Sequence, residues 1–264
     1  MITSAPIQYT GSKWRIAPWI ISCLPEHVGY VEPFCGAAGV FFRKPPSRIE
    51  TLNDLNGEVV NFFDVLRGQT EALIRALDLT PWSRFELQRA MEPSSDPLER
   101  ARRFYIRAYQ SYTAGEAEKS RGWAIAVNGE RRLRQWPKLD HLYACAKRLK
   151  LAQIDSDTAL NIIERFDDPE TVFYCDPPYV TETRTAIDYP LEMTDSDHIA
   201  LSEALHSIKG MALISGYDSA LYRDLYRDWA CVTKKARTVN NVVRVEHLWI
   251  NERAQAKQAQ RRLF

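Results

Sequence analysis

The chain alternates buried strands with helical segments in two blocks, and this alternation limits the fold more than any other feature. In the first block, the apolar run VGYVEPF at 28–34 enters the turn CGAAG, and RIETLND at 48–54 precedes apolar residues at helical spacing over 56–77. The second block is predicted to contain strands at 151–154, 171–179, 210–217 and 242–251 and helices at 157–165, 196–208 and 219–226. Such alternation is typical of a parallel sheet, so we predict a doubly wound α/β fold.

A polar, aromatic stretch from 80 to 150 separates the two blocks and reads as helices joined by loops. Because 264 residues are long for one simple domain and short for two, we predict one α/β domain formed by 1–79 and 151–264, with 80–150 as an insertion. Residues 81–150 hold 15 Lys and Arg against 8 Asp and Glu, whereas the whole chain has a net charge of only +1. This local excess indicates either a module that binds a polyanion or a solvated helical surface.

The glycine turn after the first strand is typical of a nucleotide-type site. Gly36 and Gly39 let the backbone approach a ligand closely. A helix is expected to begin after this turn, and a helix N-terminus favours a bound ligand. Asp54 ends the next strand, at the distance where an acid accepts ribose hydroxyls in nucleotide-binding folds. A plain tight turn is the alternative, and the pattern lacks the complete GxGxxG of dinucleotide sites.

The tetrapeptide Asp176-Pro-Pro-Tyr179 is the most informative segment. Its structural interpretation is a turn that stops a strand. Its chemical interpretation is a stiff loop that presents acceptors at the sheet edge where ligands bind, because the two prolines fix φ and have no N–H. Asp176 and the carbonyl of Pro177 could hold both N–H bonds of an adenine amine, which frees the nitrogen lone pair. Tyr179 could stack on a base that has left the duplex.

The order of these motifs resembles the Dam-like DNA adenine methyltransferases, an alpha-group amino methyltransferase family, especially its phage and prophage members. The matching segments are Tyr9-Thr-Gly-Ser-Lys13, Glu32-Pro-Phe-Cys-Gly36-Ala-Ala-Gly39, Asp54 and Asp176-Pro-Pro-Tyr179, followed by ISGYDSALY at 214–222 and RVEHLWIN at 244–251. The resemblance covers nearly the whole chain except the insertion. It implies a Rossmann-like S-adenosylmethionine-dependent methyltransferase sheet with a helical DNA-recognition insertion.

The resemblance also implies residue roles. S-adenosyl-L-methionine would be the methyl donor, with no metal, and its contacts would come from Tyr9, Lys13, Glu32, Pro33, Phe34, Gly36, Gly39, Asp54 and Asp176. Residues Asp176, Pro177, Pro178 and Tyr179 would hold the target adenine. Thr158 stands where the family often has an acid for the donor's adenine, and Asp157 or Asp155 could substitute.

The insertion would read the DNA. Its loops between Gly115 and Gly129 favour a contact stretch from 119 to 134, with candidate DNA-binding residues Lys119, Arg121, Asn128, Arg131, Arg132 and Arg134. For each of them a solvated helix face is the alternative. The aromatic residues Phe104, Tyr105, Tyr109 and Tyr112 fall at helical spacing and are predicted to be core.

The histidines and Cys175 do not indicate a metal site or a nucleophile. The five histidines show no metal-ligand spacing, and Cys175 lacks a nucleophile–base partner in the sequence, so it is predicted to pack. Glu246 could order the active-site wall or lie on an edge strand. The odd cysteine count, the lack of a signal-like start and the lack of a long apolar run predict a cytoplasmic protein with no membrane partner. The resemblance implies association with the nucleoid through DNA, and both a monomer and a homodimer stay open. The polar tail AQAKQAQRRLF is expected to be loose.

We therefore predict a site-specific adenine methyltransferase that acts on the exocyclic amine of an extruded adenine in duplex DNA. Two alternatives stay open at this stage. One is an amino methyltransferase acting on cytosine or RNA, and the other is a DNA-binding protein that kept the fold and lost catalysis.

Overall fold

The computed structural model describes residues 2–111, 122–124, 136, 138–183, 191–237 and 243–261. Within these ranges seven strands form one sheet, in the order β3-β2-β1-β4-β5-β7-β6. The strands are β1 Gly29–Glu32, β2 Ile49–Asn53, β3 Gln153–Asp155, β4 Thr171–Cys175, β5 Met211–Gly216, β6 Ala230–Arg237 and β7 Val243–Ile250. Strands β1 to β5 are parallel, whereas β7 pairs antiparallel with both β5 and β6.

Helices cover both faces of this sheet. They are α1 Ala17–Cys23, α2 Gly57–Gly68, α3 Thr70–Asp78, α4 Arg84–Ala90, α5 Pro97–Gln110, α6 His141–Leu149, α7 Ala159–Arg165, α8 Asp195–Ser207, α9 Ala220–Leu225 and α10 Glu252–Arg261. Short 3-10 turns occupy Lys13–Arg15 and Thr181–Thr183. The fold is thus the predicted doubly wound sheet, with an antiparallel hairpin at one end.

The side-chain alternation of β4 explains the two cores. Val172 and Tyr174 join the cluster that includes α1, α2, α3, α5 and α6, while Phe173 and Cys175 join the cluster that includes α7, α8 and α9. All five residues of β4 are buried, as expected for a central parallel strand covered on both faces. Cys175 therefore packs, as predicted.

The structure corrects three sequence-based expectations and adds one strand that was not predicted. No helix follows the glycine turn, since residues 39–43 form turns. The segment 56–77 forms two helices, because Gln69 between them has φ −130° and ψ 40°, outside the helical region. The tail is not loose through its first part: α10 begins after Asn251, whose side chain accepts from the Ala254 N–H at 3.0 Å, and Ala254 is fully buried. Strand β6 was not predicted, since residues 231–235 are exposed and lack an alternating apolar pattern.

The two ends of the predicted insertion pack on the α/β domain. Helices α5 and α6 both lie against α2, and Phe104, Tyr105 and Tyr109 are buried in the same cluster as Phe62. These aromatic residues are core, as predicted; Tyr112 lies outside the described residues. The boundaries 80 and 150 of a recognition insertion stay a prediction.

Candidate active site

The sheet has a topological switch point between β1 and β4, where connections leave toward opposite edges of the sheet. Glu32 ends β1, and Asp176 directly follows β4, so both lie at the carboxyl edge. A cavity of about 350 Å³ opens there, and its wall comes from the segments 9–13, 32–40, 54–56, 157–160, 174–178 and 191–201. Ligands of open α/β sheets bind at this kind of position.

The glycine loop and the N-terminal segment fit closely together. Gly36 has φ +47°, and a Cβ there would lie 3.0 Å from the Tyr9 ring. A Cβ on Gly39 would lie 2.8 Å from the backbone nitrogen of Trp14. The two motifs that sequence analysis placed in one site are therefore in contact, because both glycines leave room for the 9–14 segment.

Two residues at the end of β2 hold the loops around the cavity. The Asp54 carboxylate accepts the N–H groups of Gly36 at 2.8 Å and Asn56 at 2.9 Å, and burial raises its pKa to about 6. Asn53, which sequence analysis missed, donates to the carbonyls of Pro33 and Asp157, each at 2.9 Å. The Asn53 side chain thereby connects the loops after β1 and β3. In the sequence, the only signal for this role is the position of Asn53 at the end of a predicted strand.

Glu32 is buried in the cavity wall, with 2% of its surface exposed. Its Oε1 accepts the Tyr30 hydroxyl at 2.6 Å and the Phe41 N–H at 2.8 Å. Burial raises the pKa of Glu32 to about 8, although both hydrogen bonds oppose this shift. The carboxyl group is therefore mostly protonated at neutral pH.

Asp176 lines the same cavity as the glycine loop, and 18% of its side chain is exposed. Its Oδ1 lies 2.9 Å from Lys13 Nζ, which also donates to the Gly11 carbonyl at 2.8 Å. Burial raises the pKa of Asp176, and the Lys13 ammonium opposes that rise. Lys13 and Asp176, predicted from motifs 163 residues apart, form an ion pair in the cavity wall.

The other members of the tetrapeptide differ in their placement. Pro178 lines the cavity, whereas Pro177 and Tyr179 are buried beside it. The Tyr179 ring lies 4.7 Å from Lys13 Nζ and packs edge-on against Tyr217 at 4.8 Å. Its hydroxyl donates to Glu246, so the stacking side chain of the prediction is fixed at its far end.

Glu246 lies on β7 and is buried, so it is not a surface acid on an edge strand; its role in ordering the active-site wall stays a prediction. Its Oε1 is 3.7 Å from Lys13 Nζ. Burial raises its pKa, and Lys13 is the first group that opposes this rise. Sequence analysis found no partner for Glu246 because Tyr179 lies 67 residues away.

Of the two acids that could replace the family acid at Thr158, Asp157 lies in the cavity wall. Its carboxylate accepts from Asn161 and from Arg165, and the Asn161 bond leads the interactions that lower its pKa. Asp155 pairs with Arg165 at 2.7 Å and is not among the lining residues. Thr158 lines the cavity, and its hydroxyl accepts from the Asn161 N–H to begin α7.

The basic excess of 81–150 is in part neutralised where the structure describes it. Arg100 and Arg107 pair with Glu58, and Arg102 and Arg103 pair with Glu99. The hydrogen bonds from Arg102 lead the interactions that lower the pKa of Glu99 to about 2. The candidate DNA-binding residues lie outside the described residues, namely Lys119, Arg121, Asn128, Arg131, Arg132 and Arg134.

The described residues contain no group of three or more His, Cys, Asp or Glu side chains placed to hold a metal ion. None of their helices combines the length and the apolar composition that a membrane crossing needs.

The sheet order, its antiparallel end and the cavity at the switch point define a Rossmann-like S-adenosylmethionine-dependent methyltransferase, which confirms the predicted fold class. Residues 9–240 match the family model of the D12 class N6 adenine-specific DNA methyltransferases. The chain belongs to this family, so the predicted activity, an adenine-specific DNA methyltransferase, is confirmed at the level of the family.

Relatives with a known activity are similar over most of their length. The DNA adenine methylases of Salmonella typhi and Escherichia coli strain K12 are each 27% identical, over 84% of this chain and 83% of theirs. The DNA adenine methylase of Serratia marcescens is 26% identical, over 88% of this chain and 90% of its own. A solved rRNA methylase from Streptococcus thermophilus superposes with a TM-score of 0.36 at 8% identity, over 90% of this chain and 94% of its own.

Proposed function

We propose that the cavity binds S-adenosyl-L-methionine and that Asp176 and the Pro177 carbonyl hold the amine of an adenine extruded from duplex DNA. The observation that carries this proposal is the single cavity shared by the glycine loop and Asp176. The residues present suit the donor, because the carboxylates of Asp54 and Asp176 line a cavity for a molecule that carries a sulfonium and an ammonium group, and a positive charge there favours ionisation of Glu32 in the same wall. When bound, the donor supplies an activated methyl group whose departure leaves a neutral thioether.

The residues of this chain then have defined tasks. The Asp176 carboxylate and the Pro177 carbonyl accept the two N–H bonds, which localises the lone pair on the amine nitrogen. The N–C bond forms as the S–C bond breaks, and the bonding pair of the latter stays on sulfur. The nitrogen becomes positive, and Asp176 stabilises that charge before the nitrogen gives up a proton to it or to water. The loop after β4 contributes mainly alignment.

The test compares Asp176→Ala and Asp176→Asn with the wild-type enzyme in a methyl-incorporation assay on duplex DNA. We expect both variants to lose at least about 100-fold in turnover, because a charge-stabilising contact of the transition state is removed. Donor and DNA affinity are measured by calorimetry, and nucleoside analysis of digested product identifies N6-methyladenine. Asp64→Ala is the matched control, since Asp64 is an exposed acid on α2 that pairs with Arg67 outside the cavity wall. Full turnover in Asp176→Ala would refute the assignment, and donor binding without turnover in the wild type would favour a silent protein.

We also propose that the insertion reads DNA through the stretch from 119 to 134. The ion pairs of Arg100, Arg102, Arg103 and Arg107 support this, because these cations already have carboxylate partners within the domain. Phosphate contacts are then expected from elsewhere in the insertion. Replacing Arg131 and Arg132 by Ala should weaken DNA binding and lower the salt slope by about 1 per lost phosphate contact, whereas Arg103→Ala should leave that slope unchanged. An unchanged slope in the double variant would contradict the proposal.

A further inference from the structure

Glu246 occupies an unusual place for an acid. It lies on β7, between β5 and β6 in the sheet, with 5% of its surface exposed. A buried carboxylate is unfavourable unless it is paired and hydrogen-bonded. Glu246 has both kinds of partner, because it accepts the Tyr179 hydroxyl and lies 3.7 Å from Lys13 Nζ.

The first contact fixes the orientation of Tyr179. The hydroxyl is held by Glu246, and the ring packs edge-on against Tyr217. These contacts anchor the last residue of the tetrapeptide to strand β7 through Glu246 and to Tyr217, the residue directly after β5. Ordering the ring in advance reduces the conformational freedom that base binding would otherwise remove.

The second contact concerns the charge on Asp176. In the proposed function this carboxylate accepts an N–H of the adenine amine, yet its Oδ1 is paired with Lys13 at 2.9 Å. If the Asp176 carboxylate turned away, the buried Lys13 ammonium would be strongly destabilised unless another carboxylate lay near it. Glu246 provides that second carboxylate, because its Oε1 lies 3.7 Å from Lys13 Nζ.

We propose that Glu246 is a positioning residue for methyl transfer, which fixes Tyr179 and takes over Lys13 when the Asp176 carboxylate turns to the adenine amine. This inference rests on the proposed function of Asp176. It assigns no contact with substrate to Glu246, which acts through Tyr179 and Lys13.

The test is the single-turnover rate of Glu246→Gln, an isosteric change that removes the charge. We expect the rate to fall about 10- to 100-fold, the equivalent of a hydrogen bond to a charged group, while donor and DNA dissociation constants change less than about 2-fold. Glu58→Gln is the matched control, because it also breaks ion pairs of a partly buried acid, but Glu58 lies on α2 and its partners are two arginines of α5. That control should alter stability and leave the rate unchanged.

A double-mutant cycle with Tyr179→Phe tests the route. The combined loss should be smaller than the product of the two single losses, because both changes weaken the same contact. An unchanged rate in Glu246→Gln, a loss confined to donor affinity, or losses that multiply would each overturn the inference. If Asp176→Asn keeps its full rate in the same assay, the proposed function itself fails, whatever Glu246→Gln shows.

Discussion

Two buried glutamates, Glu32 and Glu50, should respond in opposite ways to the same substitution. Burial raises the pKa of Glu32 to about 8. Glu50 is buried too, but Lys44 at 2.6 Å and Arg148 pair with its carboxylate, and these partners lower its pKa against the effect of burial. Glutamine matches the shape of the acid in both places, so the protonation state of the native carboxyl group decides the outcome.

The magnitude for Glu32→Gln follows from linkage. Below pH 4.5 the carboxyl group is protonated in both the folded and the unfolded chain. Between pH 4.5 and 8 the folded chain binds more protons, so the free energy of unfolding of the wild type falls as pH rises. Since one pKa unit is about 1.4 kcal/mol, the variant should gain about 3 kcal/mol over the wild type at pH 7 and about 5 kcal/mol above pH 8.

For Glu50→Gln the sign is reversed. The pKa of Glu50 in the folded chain is depressed, so its stabilisation is present above the unfolded value and is lost as pH falls through the folded value. Removing the charge leaves Lys44 and Arg148 buried without their carboxylate, which should cost about 3 to 5 kcal/mol at pH 7. Both variants are compared with the wild type by urea unfolding from pH 5 to 8.5, without donor.

The result for Glu32 can refute the reasoning. If Glu32→Gln is less stable than the wild type at pH 8, the native carboxyl group is ionised there, and its two hydrogen bonds outweigh burial. If the difference between the two proteins does not change with pH, Glu32 does not titrate over this range. Glu50→Gln shows in parallel what the loss of a charged, paired acid looks like under the same conditions.

Three further outcomes follow from the geometry. Gly36→Ala should weaken donor binding and lower the free energy of unfolding by about 1 to 2 kcal/mol, because Gly36 has a positive φ. Gly39→Ala should lower it at least as much, because the added Cβ clashes with the backbone of Trp14. Equal stability of Gly39→Ala and the wild type in urea would contradict this. Asn251→Ala should lower the free energy of unfolding by about 1 kcal/mol through loss of the α10 cap, and an unchanged urea midpoint would show that this cap is dispensable. Asp157→Ala should weaken donor binding in calorimetry more than Asp155→Ala, and the reverse order would move the donor contact to Asp155.

Local motifs were readable in the sequence because their geometry is local. The turn at Gly36 and the stop after β4 depend on residues within a few positions, and parallel strands bring their carboxyl ends to one edge. Those two facts were enough to place Asp54 and Asp176 in one site, whereas Lys13 was assigned to it through the family resemblance. The hydrogen bond from Tyr179 to Glu246 depends instead on the register of β7 beside β5, which no local pattern encodes.

The errors have equally specific causes. The polarity of the tail predicted a loose end, but its Ala, Gln, Lys and Arg residues have high helix propensity, and one buried residue, Ala254, is enough to dock α10. Strand β6 is held by its pairing with β7 rather than by its own apolar residues. The charge count over 81–150 left a polyanion-binding module and a solvated surface open, and it could not show that Glu58, in a helix outside that stretch, neutralises two of its arginines.

The acids of the cavity show why the site departs from the rules that govern the rest of the chain. Glu32, Asp54 and Asp176 are brought together at the ends of three neighbouring strands, and burial raises the pKa of each. Elsewhere the fold pairs its buried acids fully, as Glu50 is paired with Lys44 and Arg148. An arrangement that stabilised the folded chain alone would place apolar side chains at the switch point. In the proposed function a cation lies among these acids and favours their ionised forms, so the cost of burying them is offset when the positively charged donor binds.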